Sequence, residues 1–134
     1  MAGRLGLYAA VGAGGALGSA ARYGVSLALA GADFPWGTLA VNALGSFLIG
    51  LYFAGTDTDG QTAGRPLAGQ FVMGGFCGGF TTFSIFSLEA LRLVQEGAWG
   101  RAGAFVGGSL ILWSVSVWLG HEIGTRARRA RTAG

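Results

Sequence analysis

Four long runs of mostly apolar residues take up most of this sequence, and each is about long enough to cross a lipid bilayer as a helix. A helix needs roughly 20 residues to span the hydrocarbon core. The runs cover residues 5–30, 36–54, 66–93 and 102–120. Only 11% of the residues are charged, whereas about 25% is typical of soluble domains. The sequence therefore predicts an all-α membrane protein with four transmembrane helices in a single domain, residues 1–134.

The few charged and metal-binding residues limit the partners and chemistry to be expected. All nine basic residues are arginines, and four of them lie in the tail, residues 121–134. We interpret this basic tail as a solvated end beside anionic lipid head groups. A nucleic-acid-binding tail is the alternative, disfavoured because nothing else in the chain forms a basic face. One cysteine and one histidine provide neither a disulfide nor a zinc cluster, and we predict that the chain is not an enzyme.

A glycine-rich stretch, GGFCGGFTTF (residues 74–83), interrupts the third run. Glycine costs up to about 1 kcal/mol relative to alanine inside a helix, and here two glycine pairs are followed directly by two threonines. Backbone groups freed at membrane depth need another helix, water or an ion as partner. We therefore predict that the third helix is broken at mid-membrane and that the break is an ion site. For glycines elsewhere, such as Gly14 and Gly18, close helix packing is a sufficient explanation.

Polar residues inside the other runs have two interpretations. Thr38, Asn42 and Ser46 recur every fourth residue, which places them on one face of the second helix. Hydrogen bonding between helices and lining of a permeation path explain this stripe equally well. Ser109, in the fourth run, is better explained by hydrogen bonding between helices when it is considered alone. Arg22, near the end of the first run, marks either a functional group or a side chain that reaches the lipid interface.

The positions of the carboxylates separate the classes of transporter. All six aspartates and glutamates fall in loops or near the ends of the runs, whereas a proton-coupled exporter needs a carboxylate within the membrane. A small proton-coupled multidrug exporter is therefore a disfavoured alternative. A structural subunit without transport activity would explain the small residues, but not the polar stripe together with the phenylalanines. Hydroxyl and amide groups are hydrogen-bond donors, and aromatic edges carry partial positive charge, so the lining suits an anion.

Three stretches resemble the signature regions of the Fluc/CrcB family of fluoride channels. They are GGALGSAARY (14–23), PWGTLAVNALGSFLIG (35–50) and GFCGGFTTFSIFSLE (75–89), and the similarity covers essentially the whole chain in order. The resemblance implies a subunit of an antiparallel, dual-topology dimer in the cell's inner or plasma membrane. It also implies passive export of fluoride, which lowers fluoride toxicity in the cytoplasm, and a structural sodium ion at the dimer centre.

The resemblance assigns roles to individual residues. It implies a fluoride path lined by Phe83, Phe86, Asn42, Thr82, Ser84 and Ser109, with Arg22 at its mouth. It implies that the backbone carbonyls of Gly78 and Thr81 bind the sodium ion. The sequence departs from the common family pattern at Ile85, Phe105 and Trp113. These departures put the polar track of the third and fourth helices in question and leave open a non-identical partner subunit.

The arginines near the runs bear on orientation in the membrane. Arg4 and Arg65 would lie on one side, and Arg92 and Arg101 on the other. Because arginine bias sets orientation, this equal count predicts insertion in both orientations. The tail arginines oppose the balance, since they favour the side that the tail shares with the N-terminus.

Overall fold

The computed structural model of the chain describes residues 2–56 and 66–132, and within them all regular structure is helical, as the sequence predicts. Helix α1 spans Ala2–Ala28 and α2 spans Trp36–Thr56. The following elements are α3 (Pro66–Gly69), a π-helix (Gln70–Cys77), α4 (Gly78–Phe80), α5 (Phe83–Gln95) and α6 (Trp99–Thr132). The longest predicted loop, with Asp57, Asp59 and Arg65, lies outside the described residues.

Three helical stretches are long and apolar enough to cross a membrane, within the residues that the structure describes. They are Trp36–Gly55, Leu67–Gln95 and Trp99–Thr132. Helix α1 has 27 residues, but it consists mostly of small residues and includes Arg4 and Arg22, and it is not among the three. The chain is thus a multi-pass helical membrane protein, and a fourth crossing by α1 stays a prediction.

Helix α6 extends beyond the apolar run from which its position was predicted. The run covers 102–120, whereas the helix begins at Trp99 and continues to Thr132, so the basic tail is helical as far as Thr132. Apolar composition identifies only the part of a helix that is suited to lipid. The backbone hydrogen bonds of the helix continue through polar sequence as well. On this extension Arg126 Nε donates to Glu122 Oε1 at 3.1 Å. This exposed pair contributes little to stability.

The helices pack as two close pairs in which glycines allow backbones to touch. Helix α1 packs on the π-helix and α4, and α2 packs on α6. A Cβ atom added at Gly18 would lie 2.9 Å from the backbone nitrogen of Phe80, and one added at Gly120 would lie 2.9 Å from that of Leu51. Such distances leave no space for a side chain. Association through small residues is expected in lipid, where burying apolar surface contributes little.

Substitution of Gly18 tests the packing of the first pair. We expect Gly18→Leu to lower the free energy of unfolding by about 3 kcal/mol or more, because the new side chain meets backbone that cannot move aside. Gly24→Leu is the matched control on the same helix, since a Cβ at Gly24 has no neighbour within 4 Å. Thermal unfolding in detergent, followed by circular dichroism, measures both variants. Equal unfolding temperatures for the two would contradict the close packing of α1.

A cluster of buried apolar side chains joins α5 to α6 near the turn between them. Phe86, Leu93, Ala102 and Phe105 form the cluster, and Phe34 packs against it from the loop between α1 and α2. Gly97, with φ of +74°, ends α5 in the left-handed conformation that glycine adopts readily. The amide of Ala98 then donates to the Leu93 carbonyl at 2.9 Å. This turn fixes α5 beside the first part of α6.

Candidate anion site at the Thr81–Thr82 linker

Two threonines with extended backbone separate α4 from α5. Thr81 has φ −81° and ψ 159°, and Thr82 has φ −151° and ψ 121°. Thr81 remains bound to the preceding helix, because its amide donates to the Cys77 carbonyl at 3.0 Å and its hydroxyl donates to the same oxygen at 2.9 Å. Thr82 caps the next helix, since its hydroxyl accepts from the Ile85 amide at 3.2 Å. The two hydroxyls thus fix both ends of this Thr81–Thr82 linker.

The side chain of Asn42 holds the linker from α2. Its Oδ1 accepts from the Thr82 amide at 2.7 Å, and its Nδ2 donates to the Thr82 carbonyl at 2.9 Å. Asn42 is only 5% exposed, so these bonds form away from competing solvent. Because the Thr82 amide points to Asn42, it does not continue the helical ladder to the carbonyl of Gly78. One carboxamide therefore satisfies both backbone groups of a residue that lies outside the helices.

Arg22 contacts the upstream side of the linker from α1. Its Nε donates to the Gly79 carbonyl at 3.1 Å, and the Ser19 hydroxyl donates to the same oxygen at 3.4 Å. Carbonyls at the C-terminal end of a helix lack helical partners and attract positive charge. The sequence offers two interpretations for Arg22, a functional group and an interfacial side chain. In the structure its guanidinium satisfies a helix end beside the linker.

A groove of about 210 Å³ lies along the linker. Its lining combines hydroxyl, amide and aromatic groups and contains no ionisable side chain among the described residues. The lining residues are Asn42, Ser46, Ile49, Thr81, Thr82, Phe83 and Trp113. Among the site residues predicted from the sequence, four are therefore brought together here: Asn42, Thr81, Thr82 and Phe83. Ser84 is exposed beside them, with its hydroxyl 3.3 Å from that of Thr82.

A row of aromatic rings runs from the groove to the loop between α1 and α2. The ring centroids are 5.5 Å apart for Phe83 and Phe86, 5.1 Å for Phe86 and Phe105, and 5.6 Å for Phe105 and Phe34. Phe83 is 71% exposed, whereas Phe86 is 6% exposed. The first two rings are predicted from the sequence, in which Phe105 stands only as a departure from the family pattern. Phe34 is not predicted, because its contact with Phe105 depends on the loop conformation.

The ring row ends near a small recess with charged walls at the loop end of the bundle. The recess has a volume of about 190 Å³, and Phe34 lies in its wall. Its charged lining residues are Arg92 and Arg101 together with Asp33, Glu89 and Glu96. Charged groups of both signs therefore lie at this end, whereas the described residues that line the groove are uncharged.

A profile of the family described as "CrcB-like protein, Camphor Resistance (CrcB)" matches residues 9–121. The chain belongs to the CrcB family. The resemblance drawn from the three signature stretches is thereby confirmed. The matched region contains the groove, the ring row and every residue that the sequence assigned to an ion site.

Relatives of this CrcB-family chain share about half of its residues. It is 51% identical to "Fluoride-specific ion channel FluC 1" of Bradyrhizobium diazoefficiens over 126 residues, 93% of this chain and 89% of the relative. It is 51% identical to "Fluoride-specific ion channel FluC" of Opitutus terrae over 118 residues, 86% of this chain and 89% of the relative. A third relative, "Fluoride-specific ion channel FluC 1" of Rhodopseudomonas palustris, is 47% identical over 131 residues. All three are named as ion channels and not as enzymes, in agreement with the prediction that this chain is not an enzyme.

Proposed function

We propose that the chain is a fluoride-selective channel of the cell's inner membrane that lets fluoride leave the cytoplasm passively and so limits its toxicity. The observation that carries the proposal is the groove at the Thr81–Thr82 linker, where hydroxyls, one amide and two aromatic side chains line a space without any charged side chain among the described residues. The names of the relatives support fluoride as the ion.

The lining of the groove suits passage of a small, strongly hydrated anion. Such an ion leaves water only if donors replace its hydration shell, and it leaves the protein only if no site binds it too strongly. Hydroxyl and indole groups are neutral donors, and a ring edge adds weak positive charge. Within the part of the chain that the structure describes, no carboxylate, which proton coupling would need, lines the groove. The lining therefore favours a passive channel over a proton-coupled exporter.

The Thr81–Thr82 linker is, in this proposal, a break in the third transmembrane helix at mid-membrane. Two observations support this depth. The linker lies near the middle of the 29-residue stretch Leu67–Gln95, which is apolar enough to cross a membrane. The amide and carbonyl of Thr82 are paired with Asn42, and the Cys77 and Gly79 carbonyls just before the linker accept from the Thr81 hydroxyl and from Arg22, as irregular backbone at membrane depth requires.

Fluoride efflux from liposomes tests the proposed function. Purified parent protein is reconstituted alone into vesicles loaded with potassium fluoride, and valinomycin supplies the counter-current of potassium. We expect fluoride to leave much faster than from protein-free vesicles, chloride-loaded vesicles to retain their anion, and internal pH to stay constant. Folded protein that releases no fluoride, or releases it only together with proton movement, would contradict the proposal.

We also propose that two antiparallel copies of this chain form the channel and hold a structural sodium ion between them. The carbonyl of Gly78 fits this role, because the amide that would normally bond to it points to Asn42 instead. Thr81 carries the second carbonyl at the start of the extended linker. Oxygen ligands suit hard cations. Bound sodium would supply a fixed positive charge, while the chain's own carbonyls would set its position.

The sodium proposal predicts a feature at the centre of an experimental structure. We expect a density peak that lies at cation-to-oxygen distances from the Gly78 and Thr81 carbonyls of two subunits. Hard cations are held by several oxygens at once. A high-resolution structure of the protein purified in sodium salts measures this. Carbonyls bonded only to backbone amides would refute the site.

Dual topology predicts that the C-terminus reaches both sides of the membrane. The equal arginine counts near the spans give no orientation preference, whereas the four tail arginines oppose this balance. We expect a C-terminal tag to be accessible from both sides, with a ratio closer to one after Arg126, Arg128, Arg129 and Arg131 are changed to glutamine. Protease access to the tag in sealed vesicles measures the ratio. A tag found on one side only would contradict the antiparallel homodimer and favour a non-identical partner.

A further inference from the structure

Three buried hydrogen-bond donors on α6 have no partner among the described residues; one is Arg128 Nη1 in the polar extension of the helix, and two lie in its apolar part. These two are the hydroxyl of Ser109 and the indole Nε1 of Trp113. Ser109 and Trp113 are four positions apart, so their side chains lie on the same face of the helix, one turn from each other. An unpaired buried donor costs about 1–3 kcal/mol. Two such groups on one helix face therefore require an explanation that packing alone does not give.

Trp113 connects the groove with the ring row. It lines the groove together with Asn42 and Thr82. It also packs edge-on against Phe86, with the ring centroids 4.9 Å apart and the planes at 66°. Next along α6, Ser109 is fully buried. An anion that moved from the groove toward Phe86 would thus pass the indole before it reached Ser109.

We propose that the indole N–H of Trp113 donates a hydrogen bond to fluoride as the ion passes from the groove to Phe86. The proposal rests on the proposed function and makes Trp113 a specificity-determining residue, with the Ser109 hydroxyl as the next donor along α6. An indole N–H only donates, so it is satisfied by an anion and not by a cation. Because the indole is neutral, it replaces part of the hydration shell without binding the ion as strongly as a guanidinium.

The bulk of the indole supports the same assignment. Trp113 occupies part of the wall of a groove of only about 210 Å³. A large flat ring in this position narrows the path, and its N–H donates a hydrogen bond to an ion that is small enough to enter. Width and donor strength both favour fluoride over chloride, since fluoride is smaller and accepts stronger hydrogen bonds. At Trp113 one side chain combines both effects.

Substitution with phenylalanine separates the donor from the ring. Trp113→Phe keeps an aromatic ring beside Phe86 and removes the N–H, and Trp118→Phe is the matched control because Trp118 lies on the same helix and is 62% exposed. We expect fluoride efflux from liposomes to fall about tenfold in Trp113→Phe, as loss of one hydrogen bond to a charged partner implies. Trp118→Phe is expected to keep the parent rate.

Nuclear magnetic resonance of the 15N-labelled indoles detects the donor directly. The Trp113 signal is identified by its loss in Trp113→Phe, and the parent protein is titrated with sodium fluoride and, separately, with sodium chloride. We expect the Trp113 N–H proton to shift downfield with fluoride only, and the signals of Trp36, Trp99 and Trp118 to stay in place.

The combined results distinguish this inference from the proposed function. If the parent protein conducts fluoride while the Trp113 signal does not move, the donor role is overturned and the channel function stands. A fall in flux without a shift of the signal would assign Trp113 a packing role, which also overturns the inference. If the folded parent conducts no fluoride, the proposed function fails, and the role of Trp113 in it fails as well.

Discussion

Fluoride flux is expected to fall roughly a hundredfold when Asn42 is replaced with leucine. The carboxamide makes two hydrogen bonds, of 2.7 and 2.9 Å, to the backbone of Thr82, and leucine makes neither. Each buried group left unpaired costs about 1–3 kcal/mol. The linker conformation seen here would then lose about 3 kcal/mol or more relative to alternatives, which lowers its population by about a hundredfold.

The effect of Asn42→Leu is separable from a general loss of an amide in the membrane. Gln70→Leu is the matched control, because Gln70 lies in the same bundle with its side chain exposed and away from the groove lining. Both variants are reconstituted into liposomes after size-exclusion chromatography has shown the parent's elution volume. If Asn42→Leu passes fluoride at the rate of Gln70→Leu and the parent, then Asn42 neither fixes the conducting conformation of the linker nor lines the ion path.

The contacts of Asn42 bear on both interpretations of the polar stripe on α2. Its carboxamide hydrogen-bonds α2 to the linker, as the first interpretation requires. As a lining group, the same residue forms part of the groove wall. Thr38, one turn before it, is also buried at 6% exposure but is not in that wall. The stripe therefore divides, and the part next to the linker is the part that lies at the candidate site.

The approximate positions of the long helices follow from short-range features of the sequence. Length and apolar composition locate the runs, and the paired glycines of 74–79 with the two threonines locate the linker. Glycine contacts such as that of Gly18 with Phe80 follow from the need for close approach in lipid. These features depend on residues that are adjacent or one helical turn apart, so they can be predicted from one sequence.

Other features depend on contacts between distant residues and were missed. No residue pattern in the sequence predicts the π-helix Gln70–Cys77, which packs against α1. The contact between Phe34 and Phe105 requires a particular loop path. The bond of Arg22 to Gly79 crosses between two helices. In each case the residue type is visible in the sequence, whereas its partner is fixed only by the tertiary arrangement.

Replacing Phe86 with isoleucine is expected to lower fluoride flux by roughly a hundredfold while the protein still inserts and assembles. The Phe86 ring contacts those of Phe83, Phe105 and Trp113, with centroids 4.9 to 5.5 Å apart. These packing contacts contribute about 1 kcal/mol each to stability, whereas the roughly hundredfold fall in flux corresponds to a loss of about 3 kcal/mol in stabilisation of the passing anion. Isoleucine keeps the apolar character but has no positive ring edge to face a dehydrated anion.

Because Phe86 is buried, a second variant separates ring chemistry from packing. Phe83 is 71% exposed and lines the groove, so Phe83→Ile removes a ring edge from the path with little change to the packing of the subunit. Phe76→Ile is the control for loss of a stacked ring outside the row, since Phe76 stacks on Phe80 at 5.6 Å. Liposome efflux is measured for all three variants at the parent's oligomeric size. The ring row has no part in conduction if Phe83→Ile and Phe86→Ile both pass fluoride at the rate of Phe76→Ile and the parent. If flux falls in Phe83→Ile, where packing is preserved, the passing ion requires the ring edges themselves and not only their packing.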